Sequence, residues 1–268
     1  MNLAFQLHAL NRESTNLSLY RYRDWQGFLV TGQHSGTHWI KWMLSYAIAD
    51  ACGVTPPRFY NNASSNEVIG HPKHARPADW PAPRIASSHT IAPYALEWGW
   101  LRAAAPLPPY GVVVRDVRDV LVSNYEKWKA RYQVPFAEYV KGDPVGKAYN
   151  CDVWWYIRFM NRWGAVQARY PRETLVLKYE DFRADARANL VKLLAHFGVE
   201  LPQASIEAGV AAGSKDFMAQ HHNPDVEVYG VRADSDDRHW DAESTAILEA
   251  ILREHLTYDF GYGLPTRR

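Results

Sequence analysis

The chain has 268 residues, enough for a sizeable core and, by length alone, for one or two domains. Its hydrophobic content of 47% and charged content of 22% are those of a soluble globular protein. A net charge of +1 argues against a general nucleic-acid binder and against a polybasic membrane-surface protein. Cys52 and Cys151 form neither a C-x-x-C pair nor a zinc-ligand spacing, which fits a reducing compartment. No secretory leader opens the sequence and no apolar run reaches transmembrane length, so the expected location is cytoplasmic. Oligomeric state is not legible. Eleven tryptophans and sixteen tyrosines are many for this length; most fill the core, and the surplus suits a pocket that stacks a base or receives an apolar acceptor. No linker-like stretch divides the chain, so one domain over residues 1–268 is expected.

Residues 1–27 are polar and mixed, with Arg21 to Trp25 read as an edge segment leading into the first strand. Phe28 to Val30 is a short apolar run, read as a buried strand. A small polar turn follows from Thr31 to Thr37, and residues 38–51 carry a helical pattern through Trp39, Trp42, Met43 and Tyr46. Gly53, Pro56 and Pro57 stop it. Residues 58–83, with Asn61, Asn62, Ser64, Ser65 and several prolines, are expected to be a long irregular loop. Residues 84–89 read as a strand ending in His89, and residues 94–104 as helical. Tyr110 to Val114 is β-branched and wholly apolar, as an interior parallel strand requires. A helix over 119–131, a looser insertion over 133–148 and a long aromatic helix over 152–170 come next. Thr174 to Tyr179 is another buried strand. Amphipathic helices are expected over 185–197, 203–212 and 242–255, separated by a polar loop over 213–240. Strands alternating with helices give an α/β fold with a mainly parallel central sheet flanked by helices. Ligands of such sheets gather at the C-terminal strand ends. The polar groups at those ends are the loop 31–37, His89, Arg115 and Tyr179.

Strand, glycine-bearing loop and helix aim backbone N–H groups and a helix N-terminus at an anion. A P-loop NTPase needs G-x-x-x-x-G-K-S/T. Here Gly36 is followed by Thr37 and His38, and the nearest lysine, Lys41, lies a turn further on. The stretch Thr31-Gly-Gln-His-Ser-Gly-Thr-His-Trp39 instead resembles the 5′-phosphosulfate loop, T-Y-P-K-S-G-T-T-W, of sulfotransferases that use 3′-phosphoadenosine 5′-phosphosulfate. Arg115, Arg118, Asp119 and Ser123 match the spacing of that family's R-x-P-K/R-D-x-x-x-S element, which binds the 3′-phosphate; Val117 replaces the proline. Arginine at a strand end also suits bidentate phosphate contact on physical grounds. Ser87-Ser-His-Thr-Ile-Ala-Pro93 is similar to the family's K-T-H-L-P, keeping the histidine and lacking the lysine. A neutral imidazole near pH 7 can take a proton from an attacking hydroxyl. His34, His38, His71 and His74 are its rivals. Leu177-Lys-Tyr-Glu-Asp181 resembles the family's Y-E-D strand end, Gly213-Ser-Lys-Asp-Phe217 its adenine segment, and residues 229–240 a degraded form of its basic glycine-rich stretch.

The resemblance implies a P-loop-NTPase-like three-layer sandwich and a sulfuryl transfer to a hydroxyl or amine of a small or lipid-like acceptor. It implies 3′-phosphoadenosine 5′-phosphosulfate as co-substrate, bound by His34, Ser35, Gly36, Thr37, His38, Trp39, Arg115, Ser123, Tyr179 and Phe217, with either Arg232 or Arg238 on the 3′-phosphate. His89 is the implied general base. The family's loop lysine is His34 here, and either His34 or Lys41 takes its place beside the leaving phosphate. No metal is called for. Trp80, Tyr94, Trp98 and Phe136 are candidates for the acceptor pocket, expected to be walled by residues 58–83, 94–101 and 133–150. The acceptor is a small molecule, a lipid alcohol or a glycan, and no nucleic acid is expected. Two other readings stay open on sequence: a P-loop kinase-like phosphotransferase and a non-catalytic nucleotide-binding module.

Overall fold

A computed structural model describes residues 2–15, 25–70, 79–105, 107–223 and 239–267. The elements run α1 (Leu3–Thr15), β1 (Gly27–Thr31), α2 (Thr37–Cys52), α3 (Asn62–Ile69), β2 (Ile85–Ser88), a 3-10 turn (Tyr94–Glu97), α4 (Gly99–Ala104), β3 (Tyr110–Val114), α5 (Val117–Tyr132), α6 (Phe136–Lys141), α7 (Val153–Arg169) and β4 (Thr174–Lys178). Then come α8 (Tyr179–Ala184), α9 (Ala186–His196), α10 (Gln203–Ala212), α11 (Lys215–Gln220) and α12 (Ala242–His255). The four strands among the described residues are all parallel, in the order β2-β1-β3-β4.

Successive strand residues point to opposite faces of the sheet. Leu29, Val113 and Leu177 face one way and pack on Ile40, Met43 and Leu44 of α2, on Leu190, Leu193 and Leu194 of α9, and on Ile206 of α10. Phe28, Val30, Tyr110, Val112 and Val114 face the other way, against Phe159, Trp163 and Val166 of α7. Helices therefore cover both faces of one central sheet, and the fold is the three-layer α/β domain expected. Each wholly buried Leu, Val or Phe in these layers contributes about 1.5–3 kcal/mol by leaving water. A further apolar cluster joins Phe5 of α1 to α5, α6, α7 and α12. No helix among the described residues is long and apolar enough to cross a membrane.

The parallel arrangement puts every strand's C-terminal end on one edge. Val30 pairs with Ser88, Thr31 with Val113, and Val114 with Lys178. The residues just past these rungs are Gly32, His89, Arg115 and Tyr179, so the register itself gathers them. The order β2-β1-β3 reverses direction between β1 and β3, and that switch point is where open α/β sheets form a ligand crevice.

Two stretches depart from the sequence reading. Residues 58–83 are not irregular throughout: Asn61 caps α3 by accepting the Ser64 N–H at 2.9 Å, and Gly70 closes it. The asparagines and serines read as loop formers are a cap and a short first turn. The N-terminal stretch contains α1, which buries Phe5, Ala9 and Glu13 at spacings of four. Only two of those three positions are apolar, so the pattern was easily missed. Smaller insertions, α6 and α11, also appear inside stretches read as loops.

Candidate active site

The loop after β1 is shaped by two residues with positive φ, His34 at 61° and Gly36 at 76°. At Gly36 any side chain would also be obstructed, because a Cβ would lie 2.5 Å from the Tyr179 ring. At Gly32 a Cβ would lie 2.8 Å from Ser35 Oγ and 2.9 Å from Tyr156. Gly36 precedes α2 without giving it a side-chain cap. The first-turn N–H groups of a sixteen-residue helix, together with its dipole, are thus available to an anion at the loop.

Side chains from distant elements hold the loop. Thr31 Oγ1 and Thr37 Oγ1 are 2.7 Å apart across it. Ser35 Oγ lies 3.2 Å from Tyr156 OH, and Tyr156 OH accepts from Arg115 N at 2.8 Å and donates to Arg115 O at 2.9 Å. Burial raises the Tyr156 phenol pKa far above its usual range, so it stays a neutral strut. Arg115 NH1 donates to His34 O at 3.0 Å, NH2 lies 3.5 Å from Asp119, and the guanidinium sits 4.6 Å over the Tyr179 ring. Its Nε is buried and makes no hydrogen bond. A buried cationic donor without a partner, beside an uncapped helix start and a glycine cradle, fits an anionic phosphate group.

His34 turns its ring onto α5. Nδ1 is 3.1 Å from Ser123 Oγ, and Nε2 is 3.0 Å from Asn124 Oδ1. The Asn124 amide nitrogen faces Cys151 O, Tyr132 OH and Tyr139 OH, which take its two N–H donors and leave Oδ1 as the acceptor. His34 Nε2 therefore carries a proton, and in the neutral ring Nδ1 accepts from the Ser123 hydroxyl.

His89 stands at the end of β2. Its Nδ1 lies 2.8 Å from Thr31 O and 3.2 Å from Thr31 Oγ1. A carbonyl oxygen only accepts, so Nδ1 holds the ring proton and Nε2 keeps its lone pair. His89 is solvent-accessible at the mouth of a cleft yet surrounded by protein, and this desolvation lowers its pKa, with the Thr31 hydrogen bond opposing. His38 accepts from the Asn62 amide at 3.1 Å, and desolvation lowers its pKa to about 4. Lys41 is buried, donates to Asn62 Oδ1 at 3.1 Å and to Asn66 Oδ1, and has its pKa lowered to about 8 by desolvation.

Trp39 donates to Gly213 O at 2.8 Å, and its ring meets Tyr179 edge-on at 6.2 Å. Phe217 shares an apolar cluster with Trp39 and stacks on His221 at 4.3 Å. The loop, Trp39, Arg115, Ser123, Tyr179 and His89 thus come together, with Phe217 behind Trp39. Arg232, Arg238, His71 and His74 lie outside the described residues.

A cavity of about 170 Å³ beside His89 is lined by Arg12, Glu13, Thr90, Ile91 and Trp155. None of the four aromatic residues picked from sequence lines it. Trp80 packs against the α2-side core, Tyr94 lies under the Arg162 guanidinium at 3.7 Å, Trp98 stacks on Trp100 at the surface, and Phe136 is buried beside Tyr125 and Tyr139. Tyr156, Asn124, Asn62 and Glu13 stand at or behind the site without having been singled out in the sequence. Their partners are remote along the chain; only Tyr156, inside an evident buried helix, carried a local signal.

The sulfotransferase domain model matches residues 24–223. The chain belongs to the sulfotransferase domain family. Among solved structures, a retinol dehydratase in complex with androsterone and the inactive cofactor PAP is 15% identical, with TM-score 0.57, covering 99% of this chain and 87% of that one. Mouse sulfotransferase SULT7A1 complexed with PAP is 17% identical, with TM-score 0.56, covering 91% and 90%. A retinol dehydratase complex with retinol and PAP is 15% identical, with TM-score 0.54 and coverage of 99% and 88%. At these identities the likeness concerns the fold. Comparison with curated proteins finds no match. Family membership supports sulfuryl transfer in general as the activity of this sulfotransferase chain.

Proposed function

We propose that the chain is a sulfotransferase dependent on 3′-phosphoadenosine 5′-phosphosulfate that modifies a hydroxyl or amine of a small acceptor. The observation that carries this reading is the convergence at one sheet edge of an uncapped helix start, an arginine with an unpartnered donor, and a histidine whose basic nitrogen is fixed as Nε2. When bound, the co-substrate supplies the sulfuryl group. The first-turn N–H groups of α2, with Ser35 and Thr37, hold the 5′-side phosphate. Arg115 and Ser123 hold the 3′-phosphate. Trp39, Tyr179 and Phe217 flank the adenine. His89 Nε2 takes the acceptor's proton as the acceptor atom attacks sulfur.

A thermal-shift comparison tests the reading. At one hundred times its Kd, a ligand specific for the native state stabilises by about 2.7 kcal/mol. Adenosine 3′,5′-bisphosphate is therefore expected to raise Tm by about 5–10 °C, given the usual shift per kcal/mol at this size. Stabilisation by ATP with magnesium and none by the bisphosphate would overturn it in favour of a phosphotransferase.

His34 takes the place of the loop lysine in this scheme, exchanging its Nε2–H bond to Asn124 Oδ1 for one to the leaving phosphate oxygen when the co-substrate binds. Lys41 is held by two asparagines from within α2, whereas His34 lies in the loop itself. His34→Ala is expected to lower kcat by about 100-fold, the usual cost of removing one preorganised donor. Lys41→Ala, read at equal folded fraction, is expected to keep most turnover. The reverse pattern in single-turnover rates would move the role to Lys41.

A further inference from the structure

The cavity beside His89 contains a carboxylate that the transfer scheme does not use. Glu13 sits on α1, ahead of the segment matched by the family model, and is 2% exposed. It follows Phe5 and Ala9 on the helix's buried face, where a third apolar residue would be the inexpensive choice. Its Oε1 is wholly buried and accepts no hydrogen bond. Arg158 Nε is 3.8 Å away and is itself without a hydrogen bond, so the pair is an ion pair lacking the bonds that would offset its desolvation. Burial raises the Glu13 pKa to about 7, against the opposing pull of Arg158, Arg162 and Arg12.

A buried carboxyl that lines a cavity and lacks a donor has an obvious complement in a ligand hydroxyl. A cationic group is the poorer fit. Arg12 on α1 and Arg158 and Arg162 on α7 already surround Glu13 with positive charge, and Glu97 is engaged by Arg162. The remaining walls are Thr90, Ile91 and the Trp155 ring, so a mainly polar lining carries two apolar surfaces. A cavity of about 150 Å³ holds a benzene ring, and this one is about 170 Å³.

We propose that Glu13 determines acceptor specificity, and that the pocket takes a neutral, single-ring acceptor with two hydroxyl groups. One hydroxyl faces His89 Nε2 for transfer, the other donates to the Glu13 carboxylate, and the ring lies between Trp155 and Ile91. This rests on the sulfotransferase reading above and adds the acceptor class.

The test uses the full chain saturated with adenosine 3′,5′-bisphosphate, titrated calorimetrically with resorcinol and with phenol. Resorcinol is expected to bind about 10- to 100-fold more tightly than phenol, because a site built to hydrogen-bond a hydroxyl penalises the analogue without it. Glu13→Leu is expected to bring that ratio near unity, and Glu13→Gln, which keeps an acceptor oxygen, to retain part of it. A purely structural role would shift Tm without changing the ratio. The proposal is overturned if neither phenol binds, if the wild-type chain does not discriminate, or if Glu13→Leu keeps the preference. Bisphosphate binding in the same samples is read separately. Its failure sinks the sulfotransferase reading, whereas lost diol preference with intact nucleotide binding sinks only this one.

Discussion

Replacing His89 by alanine is expected to lower kcat by about 100- to 10,000-fold, the range contributed by a positioned general base. Adenosine 3′,5′-bisphosphate affinity should stay unchanged, because the hydrogen bonds of His89 to the loop go to Thr31, at the foot of the site. The hydrogen bond from Nδ1 to Thr31 O matters as much as the ring itself. It fixes which nitrogen of this cavity-lining residue is basic. Desolvation lowers the His89 pKa below its ordinary 6.5, so the ring is neutral and competent at pH 7. The sign follows directly. A base is active when deprotonated, so kcat/KM in the wild-type enzyme should be level near pH 7 and fall as pH drops through a value below 6.5. His89→Ala should lose that acid limb along with the rate. A pH–rate profile of both proteins decides it: an alanine variant with the wild-type limb and near-wild-type kcat would show that another group takes the proton, with His38 as the first rival. His38 is the weaker base, its pKa lowered to about 4 with its Nε2 already tied to Asn62.

The sheet and its ligand edge were legible because parallel interior strands are apolar on both faces. Tyr110 to Val114 has no other sensible reading, and once the strands are placed, His89, Arg115 and Tyr179 fall at their ends by counting. What the sequence concealed depends on contacts between remote residues. α3 is eight residues long and rich in Asn and Ser, and it is tied to the body through the Lys41 ammonium on Asn62 and Asn66. Neither propensity nor period predicts a helix that short. α1 buries only two apolar side chains and spends its third inward position on Glu13. The positive φ of His34 has no local sequence signal, and the partners of its ring, Ser123 and Asn124, lie 89 and 90 residues further on. The cavity beside His89 has no sequence signal for the same reason. Its walls come from α1, the segment after β2, and α7, and aromatic richness drew attention to Trp80, Tyr94, Trp98 and Phe136 instead.

Arg115→Met is expected to weaken adenosine 3′,5′-bisphosphate binding by about 100-fold or more, since each hydrogen bond to a charged group is worth about 1.5–3 kcal/mol and a guanidinium can make two to one phosphate. Part of that loss is indirect. Arg115 NH1 also holds the carbonyl of His34, so its removal loosens a loop already bent into positive φ at His34 and Gly36. The two contributions separate by ligand. Adenosine 5′-monophosphate lacks the 3′-phosphate and reports only on the loop; the bisphosphate reports on both. Wild-type protein should prefer the bisphosphate strongly, and Arg115→Met should erase most of that preference while weakening the monophosphate modestly. Arg115→Lys keeps the charge but loses the planar fork and the face-on contact 4.6 Å above Tyr179, so it should recover only a minor part of the preference. Equal losses for the two nucleotides, measured by calorimetry, would mean that Arg115 supports the loop alone and that the 3′-phosphate is bound elsewhere.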